Sequence, residues 1–164
     1  MLCQSYHDII AIFCIGNLYL SDDGLAIHLY NELIKLKLSE NIKIYQFGLL
    51  GFSQIDLILP YRKLIVIDAL KGFGRPGDIF TIDLFLSKYL DNNTLSSHDI
   101  GLFELLETIR ILDPSKMPKE AILIGVEIEN VNEFGVTLSP KVNNVISQVQ
   151  KIIINEIKCG GMNL

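Results

Sequence analysis

The sequence predicts an α/β protein, a three-layer α/β/α sandwich built on a mostly parallel, twisted sheet of about five strands. Two unbroken apolar runs, residues 9–15 and 64–67, have the composition of strands that are buried on both faces. Segments with apolar residues at helical spacing alternate with the predicted strands. The hydrophobic content of 49% and a mean hydropathy of +0.36 suit a sheet that helices cover on both sides. We expect a single domain over residues 1–164.

The first half of the chain predicts two strands, each followed by a helix. The first strand ends at Gly16-Asn17. Ser21 is the expected cap of the next helix, which ends near Lys37-Leu38. Alternating residues predict a second strand over 42–47, and a short helix over 52–59 stops at a proline.

The second half predicts three more strands and two longer helices. The apolar run 64–67 ends at Asp68-Ala69, and a turn-rich loop leads to an edge strand over 78–84, for which antiparallel pairing is one option. A helix capped by Ser96 or Ser97 runs to about Leu112, and the last buried strand covers 121–126. The final helix begins at Ser139-Pro140 and carries a broad apolar stripe: Val142, Val145, Ile146, Val149, Ile152, Ile153 and Ile157.

Composition excludes several classes of partner. The net charge is -5, the pI is about 5.1, and no cluster of Lys and Arg occurs along the sequence, so nucleic acid and membrane are poor candidates. The three cysteines, Cys3, Cys14 and Cys159, are odd in number and widely spaced. This pattern indicates reduced thiols. The N-terminus lacks the basic residues of a signal peptide. We expect a soluble, cytoplasmic protein.

Three side chains are candidates for a metal-contacting site. Asp23 follows the Gly16-Asn17 turn, Asp68 ends an apolar strand, and His98 lies in the first turn of a helix. Ligands gather beyond the carboxyl ends of parallel strands, and a three-ligand metal site leaves coordination positions open for chemistry. Each residue taken singly also has a structural interpretation, as a dipole-favoured acid, a turn cap or a packing residue.

Other side chains are less suited to chemistry. No G-x-S-x-G elbow occurs, which argues against Ser-His-Asp catalysis. Cys14 lies inside a strand and is expected to be a buried, inert thiol. Asp22 is a candidate for a supporting or local acid-base group, although the helix dipole explains it adequately. Glu127 and Glu129, at the end of the last strand, are either further members of the site or exposed strand-end acids, and we expect the second. We assign no role to the remaining histidines, His7 and His28.

Five segments in order resemble the hydrogenase maturation endopeptidases, which trim the C-terminal extension of the large subunit of nickel-iron hydrogenases. The resemblance covers the chain from Ile9 to about Ile157. The matching segments are Ile15-Gly16-Asn17 through Ser21-Asp22-Asp23-Gly24, Ile65-Val66-Ile67-Asp68-Ala69, Ser97-His98-Asp99-Ile100-Gly101, Leu123-Ile124-Gly125-Val126, and Gly135-Val136-Thr137-Leu138-Ser139-Pro140 with Val142.

The resemblance implies a shared role for the three candidates. By motif position, the family's metal-contacting triad falls on Asp23, Asp68 and His98, which makes these the expected catalytic residues. The implied partner is the precursor of a nickel-iron hydrogenase large subunit. The implied metal is nickel carried by that precursor, so we expect no permanently bound cofactor. Metal contact either positions the scissile bond or activates a water.

The chain departs from the family pattern at three places. Cys14 stands where the family's first loop usually has Gly, and Ile128 replaces a common Pro. The segment Phe47-Gly48-Leu49-Leu50-Gly51 differs from the acidic wording usual in a loop associated with substrate contact. The altered loop motivates an alternative function, a non-proteolytic module that recognises a metallocentre or acts as an assembly chaperone. A flavodoxin-like nucleotide or flavin binder rests on fold class alone.

Overall fold

One five-stranded sheet forms the centre of the molecule. The computed structural model describes residues 8–49, 52–86, 97–129 and 134–159, with only the helical backbone at 52–53 and 97–100. The strands lie in the order β2-β1-β3-β5-β4, and β4 at the edge runs antiparallel to β5 while the other neighbours are parallel. The strand bounds are β1 Ile10–Ile15, β2 Ile42–Phe47, β3 Lys63–Leu70, β4 Ile79–Asp83 and β5 Glu120–Glu127.

Helices cover both faces of the sheet because successive residues of the central strands point to opposite sides. The described α-helices are α1 Leu25–Leu33, α2 Ser97–Leu112, α3 Pro140–Asn143 and α4 Ile146–Cys159. Ile10 and Ile12 of β1 pack in one core with α1 and α4. Ala11 and Phe13 pack in the other core with α2. The predicted three-layer α/β/α sandwich with a mostly parallel sheet is confirmed, and so is the edge position of β4.

Four predicted helix features differ from the structure. Ser21 does not cap a helix; it begins a 3-10 helix, Ser21–Gly24, that precedes α1 and has Leu20 at its N-cap position. Helix α1 ends at Leu33, because the next turn tightens into bonds from Lys35 N–H to the Glu32 carbonyl and from Leu36 N–H to the Leu33 carbonyl.

The predicted final helix is two helices. A break at residues 144–145 separates α3 from α4, where the low helix propensity of the Asn143-Asn144 pair weakens the ladder. Of the predicted stripe, Val142, Val149, Ile153 and Ile157 are buried. The predicted helix over 52–59 is a 3-10 helix, Phe52–Leu57.

No helix among the described residues is long and apolar enough to cross a bilayer. Two of the cysteines lie within the described ranges, and both are free thiols: Cys14 is buried and Cys159 is exposed. Cys3 and His7 lie outside those ranges.

Candidate functional site

The carboxyl ends of β1 and β3 lie side by side at the point where the chain reverses its direction across the sheet. From β1 the chain leads to β2 on one side, and it then returns to β3 on the other side. The parallel register pairs Cys14 with Ile67, so Asp68 lies next to Ile15, directly before the Gly16-Asn17 turn. This edge is where ligands bind in open α/β sheets.

Asp68 is a buried carboxylate inside the paired part of β3. The sequence predicted that the strand ends at Asp68-Ala69, but β3 continues to Leu70 and pairs Asp68 with Gly125 of β5. The side chain is 1% exposed. Its Oδ1 accepts a hydrogen bond from the Ala69 backbone N–H at 2.7 Å, which fixes the direction of the carboxylate.

Asp23 lies on the 3-10 helix that follows the β1 turn and packs against β3. It is half-buried, and its Oδ2 accepts the Asn17 backbone N–H at 2.9 Å. The Asn17 side chain in turn accepts the Tyr19 N–H at 3.0 Å, so the turn is closed by its own side chains. A side chain at Gly16 would collide with the Asp23 carbonyl oxygen, which explains the glycine there. The structure thus places Asp23 and Asp68 on neighbouring segments of one edge.

His98 is the second residue of α2, whose backbone begins at Ser97 as predicted. Its side chain lies outside the part of the chain that the structure describes. Among the described side chains, no group of three or more His, Cys, Asp or Glu residues is arranged to hold a metal ion. The complete triad of Asp23, Asp68 and His98 therefore stays a prediction.

Two buried acids at this edge were not recognised as structural from the sequence. Asp22 is fully buried, and its carboxylate accepts the backbone N–H of Ser139 at 2.6 Å and that of Glu129 at 3.2 Å. The helix-dipole role expected from the sequence does not account for these two hydrogen bonds, which join the 3-10 helix to the segment after β5.

Glu127 was expected to be exposed, and this is wrong: it is 3% exposed. Its carboxylate accepts the backbone N–H groups of Gly72, Phe73 and Gly74 at 2.7, 2.8 and 3.2 Å. The glycine-rich loop after β3 carries backbone N–H groups that need an acceptor. This requirement was the signal in the sequence that could have predicted a buried acid beside the loop. Glu129 is exposed, as expected, and pairs with Lys141 at 2.8 Å.

The segment after β5 is also joined to the β1 turn through the backbone. Leu20 and Gly135 form an isolated parallel bridge, in which Ser21 N–H donates to the Gly135 carbonyl at 2.9 Å and Gly135 N–H donates to the Tyr19 carbonyl at 3.0 Å. Ser21 has a φ of 48°, a conformation that is uncommon for serine and that this pairing holds in place. His28 Nε2 lies 2.9 Å from the Val136 carbonyl, so His28 has a structural contact here.

Several exposed apolar side chains lie on segments at the same edge of the sheet. They follow the ends of β1, β2 and β5, and we call them the apolar rim: Tyr19, Leu49, Phe134 and Val136, which are 68%, 62%, 91% and 51% exposed. Leu49 belongs to the segment in which the sequence departs from the family pattern. An apolar surface beside carboxylates suits a peptide better than a small polar molecule.

Cys14 has the properties of an inert core thiol. It is fully buried in β1, and burial raises the pKa of its thiol to about 12. The thiol is therefore protonated at neutral pH and is a poor nucleophile, as predicted.

Comparison with known proteins identifies the family. The hydrogenase maturation protease family model matches residues 27–156. That range includes Asp68 and His98 and begins four residues after Asp23. The chain is 27% identical over 140 residues to the hydrogenase expression/formation protein HupD of Thiocapsa roseopersicina, an alignment covering 84% of this chain and 62% of HupD. It is 26% identical over 155 residues to a candidate hydrogenase maturation protease of Methanocaldococcus jannaschii, covering 92% and 97% of the two chains.

The fold agrees with a solved structure of the same kind. The hydrogenase maturating endopeptidase HybD from E. coli superposes with a TM-score of 0.81 at 21% identity, and the match covers 93% of this chain and 94% of HybD. At this identity the superposition supports the fold, while the family model carries the assignment. The resemblance expected from the sequence is confirmed: this chain belongs to the hydrogenase maturation protease family.

Proposed function

We propose that this chain is the endopeptidase that removes the C-terminal extension from a nickel-iron hydrogenase large-subunit precursor after nickel has been inserted. The observation that supports the proposal is that Asp23 and Asp68 lie on neighbouring segments at one sheet edge in a member of this family. The apolar rim supports a polypeptide substrate, because it offers contact area for apolar side chains at this edge of the sheet.

The proposed role of the site is to recognise nickel that the precursor already holds. Carboxylate oxygens from Asp23 and Asp68 together with the His98 imidazole suit a borderline divalent metal. The Asn17 and Ala69 N–H groups orient the two carboxylates before the substrate arrives, which lowers the cost of ordering them on binding. The chain itself needs no resident cofactor in this scheme, and the cytoplasm is the compartment in which we place the reaction.

Two roles for the contact follow from its chemistry. Contact with the substrate's nickel would hold the precursor with its scissile bond at a fixed position. The bond would then already be oriented for attack, which lowers the entropic cost of the reaction. Alternatively, the metal would lower the pKa of a bound water and so supply the nucleophile. In both cases an empty precursor lacks the group that the site recognises.

The test is cleavage of a purified precursor, followed by intact mass spectrometry. Nickel-loaded precursor should lose a short C-terminal peptide, and nickel-free precursor should remain uncut. We expect Asp23→Asn, Asp68→Asn and His98→Ala each to slow cleavage by about a hundredfold or more, because each removes a contact made to the reacting complex. Glu40→Gln, which neutralises an exposed acid at the opposite edge of the sheet, is the matched control and should cleave normally.

Two results would contradict the proposal. Equal cleavage by the wild type and the three site variants would reject the triad. Tight binding of nickel-loaded precursor without any cleavage would instead establish the non-proteolytic recognition module.

A further inference from the structure

A groove lies between the end of α1 and the C-terminal half of α4, at the opposite edge of the sheet from the candidate site. It is open to solvent and has a volume of about 620 Å³. Its position at the amino ends of the strands follows from two neighbours: residues 36–38 precede the start of β2, and Glu156 of α4 pairs at 2.6 Å with Lys63, the first residue of β3. The lining residues are Leu36, Lys37, Leu38, Gln150, Lys151, Ile154, Asn155 and Lys158.

The groove combines an apolar lining with positive charge. Leu36, Leu38 and Ile154 supply the apolar part, and Leu36 is 38% exposed. Lys37, Lys151 and Lys158 are exposed, and no acidic residue is among the lining residues. Within the described ranges, none of the three ammonium groups makes an ion pair or hydrogen bond, whereas the nearby Lys35 and Lys63 pair with Glu32 and Glu156.

This local charge is opposite to that of the molecule as a whole. The chain carries a net charge of -5, so three unpaired lysines around one concavity form a positive site on a negative protein. A ligand with carboxylates flanking an aliphatic side chain would neutralise the lysines and bury the leucines together. Such complementarity steers association and selects among partners.

We propose that this groove docks an acidic, aliphatic peptide segment of a partner protein. Two copies of this chain would not dock groove to groove, because that arrangement would bring lysine against lysine. A concavity of this size receives side chains, whereas a lipid bilayer presents a flat surface. Because the groove and the carboxylates lie at opposite edges of the sheet, the segment would bind here without occupying the candidate site.

The test uses a fluorescein-labelled synthetic peptide in which two leucines are flanked by glutamates, with binding to the full-length protein followed by fluorescence anisotropy. We expect saturable binding that weakens with added salt. The variant Lys151→Glu/Lys158→Glu should bind at least about tenfold more weakly, since attraction is replaced by repulsion. The control Lys116→Glu/Lys119→Glu makes the same charge change at two other exposed lysines and should bind as the wild type does.

Further controls separate the parts of the recognition and the competing ligands. Leu36→Ser should weaken binding of the leucine peptide but not of a peptide with serines in place of the leucines. Circular dichroism confirms that each variant is folded. Failure of the wild type to bind, or equal loss in both lysine pairs, would overturn the proposal. Binding to phosphatidylserine vesicles that depends on Lys151 and Lys158, without peptide binding, would assign the groove to lipid instead. Because this assay needs no cleavage, its outcome is independent of the proposed peptidase activity.

Discussion

Two pairs of acids at the carboxyl edge of the sheet are used in different ways. Asp22 accepts N–H groups from residues 107 and 117 positions away, and Glu127 accepts from residues 53 to 55 positions away. The hydrogen bonds described for Asp23 and Asp68 come from N–H groups only six and one positions away. The first pair joins distant segments, while these local bonds orient the side chains of the second pair. The long-range hydrogen bonds therefore give Asp22 and Glu127 a structural role.

The largest expected loss of stability is that of Asp22→Asn. Both oxygens of Asp22 accept backbone N–H groups, so an amide would place its own donor against one of them. We expect a loss of about 3 kcal/mol in the free energy of unfolding. Glu40→Gln, which changes an exposed acid in the same way, is the control and should lose less than about 0.5 kcal/mol. Urea denaturation measures both, and equal losses would refute the distinction.

Glu127→Gln should have a smaller effect than Asp22→Asn, about 2 kcal/mol. Three N–H groups converge on the carboxylate, but Gly72 and Gly74 are exposed, so water can replace part of what is lost. Hydrogen exchange should accelerate at Gly72 to Gly74 while the amides of β1 remain protected. Unchanged exchange in that loop would show that Glu127 does not hold it.

Cys14 extends the comparison to a buried group whose charged form the fold disfavours. Its pKa is raised to about 12 in the folded protein, whereas an unfolded thiol has a pKa of about 8.5. Above that value the unfolded state releases a proton that the folded state keeps, so stability falls as pH rises. This contribution amounts to about 1 kcal/mol between pH 8 and pH 9.5. Denaturation of Cys14→Ala should show a correspondingly smaller loss over that interval, and Cys159→Ala should behave as the wild type does.

The smallest expected change in stability is that of Phe134→Ser in the apolar rim. Phe134 is 91% exposed, so the free energy of unfolding should change by less than about 0.5 kcal/mol. If the rim contacts the precursor, KM should rise several-fold while kcat is retained. Ile111→Ser, an equally apolar and 71% exposed position on α2, is the control and should leave KM unchanged. A matching rise in KM for both variants would reject the rim as a contact surface.

The sequence predicted the parts of the fold that depend on local patterning. The apolar runs of β1 and β3 are recognisable because both faces of these strands are buried, and α2 was placed correctly because its start and its breaking proline are local signals. The ends of α1 and the split between α3 and α4 were missed, since competing turn bonds decide them. The positions of Asp23 and Asp68 at one edge were predictable from the rule for parallel strands.

The sequence by itself determined the fold class, the family and the residues of the proposed triad, because apolar periodicity and motif order are properties of the chain. Only the tertiary structure decided which acids are structural. In the sequence, Asp22 resembles an ordinary acid at a helix start and Glu127 resembles one at a strand end. Their structural roles appear only when folding brings the N–H groups of distant residues to them. The lysine groove has the same origin: Lys37 and Lys158 are 121 positions apart, so no pattern in the sequence predicts that they meet. Local patterns determine elements, whereas burial and charge clustering depend on which elements pack together.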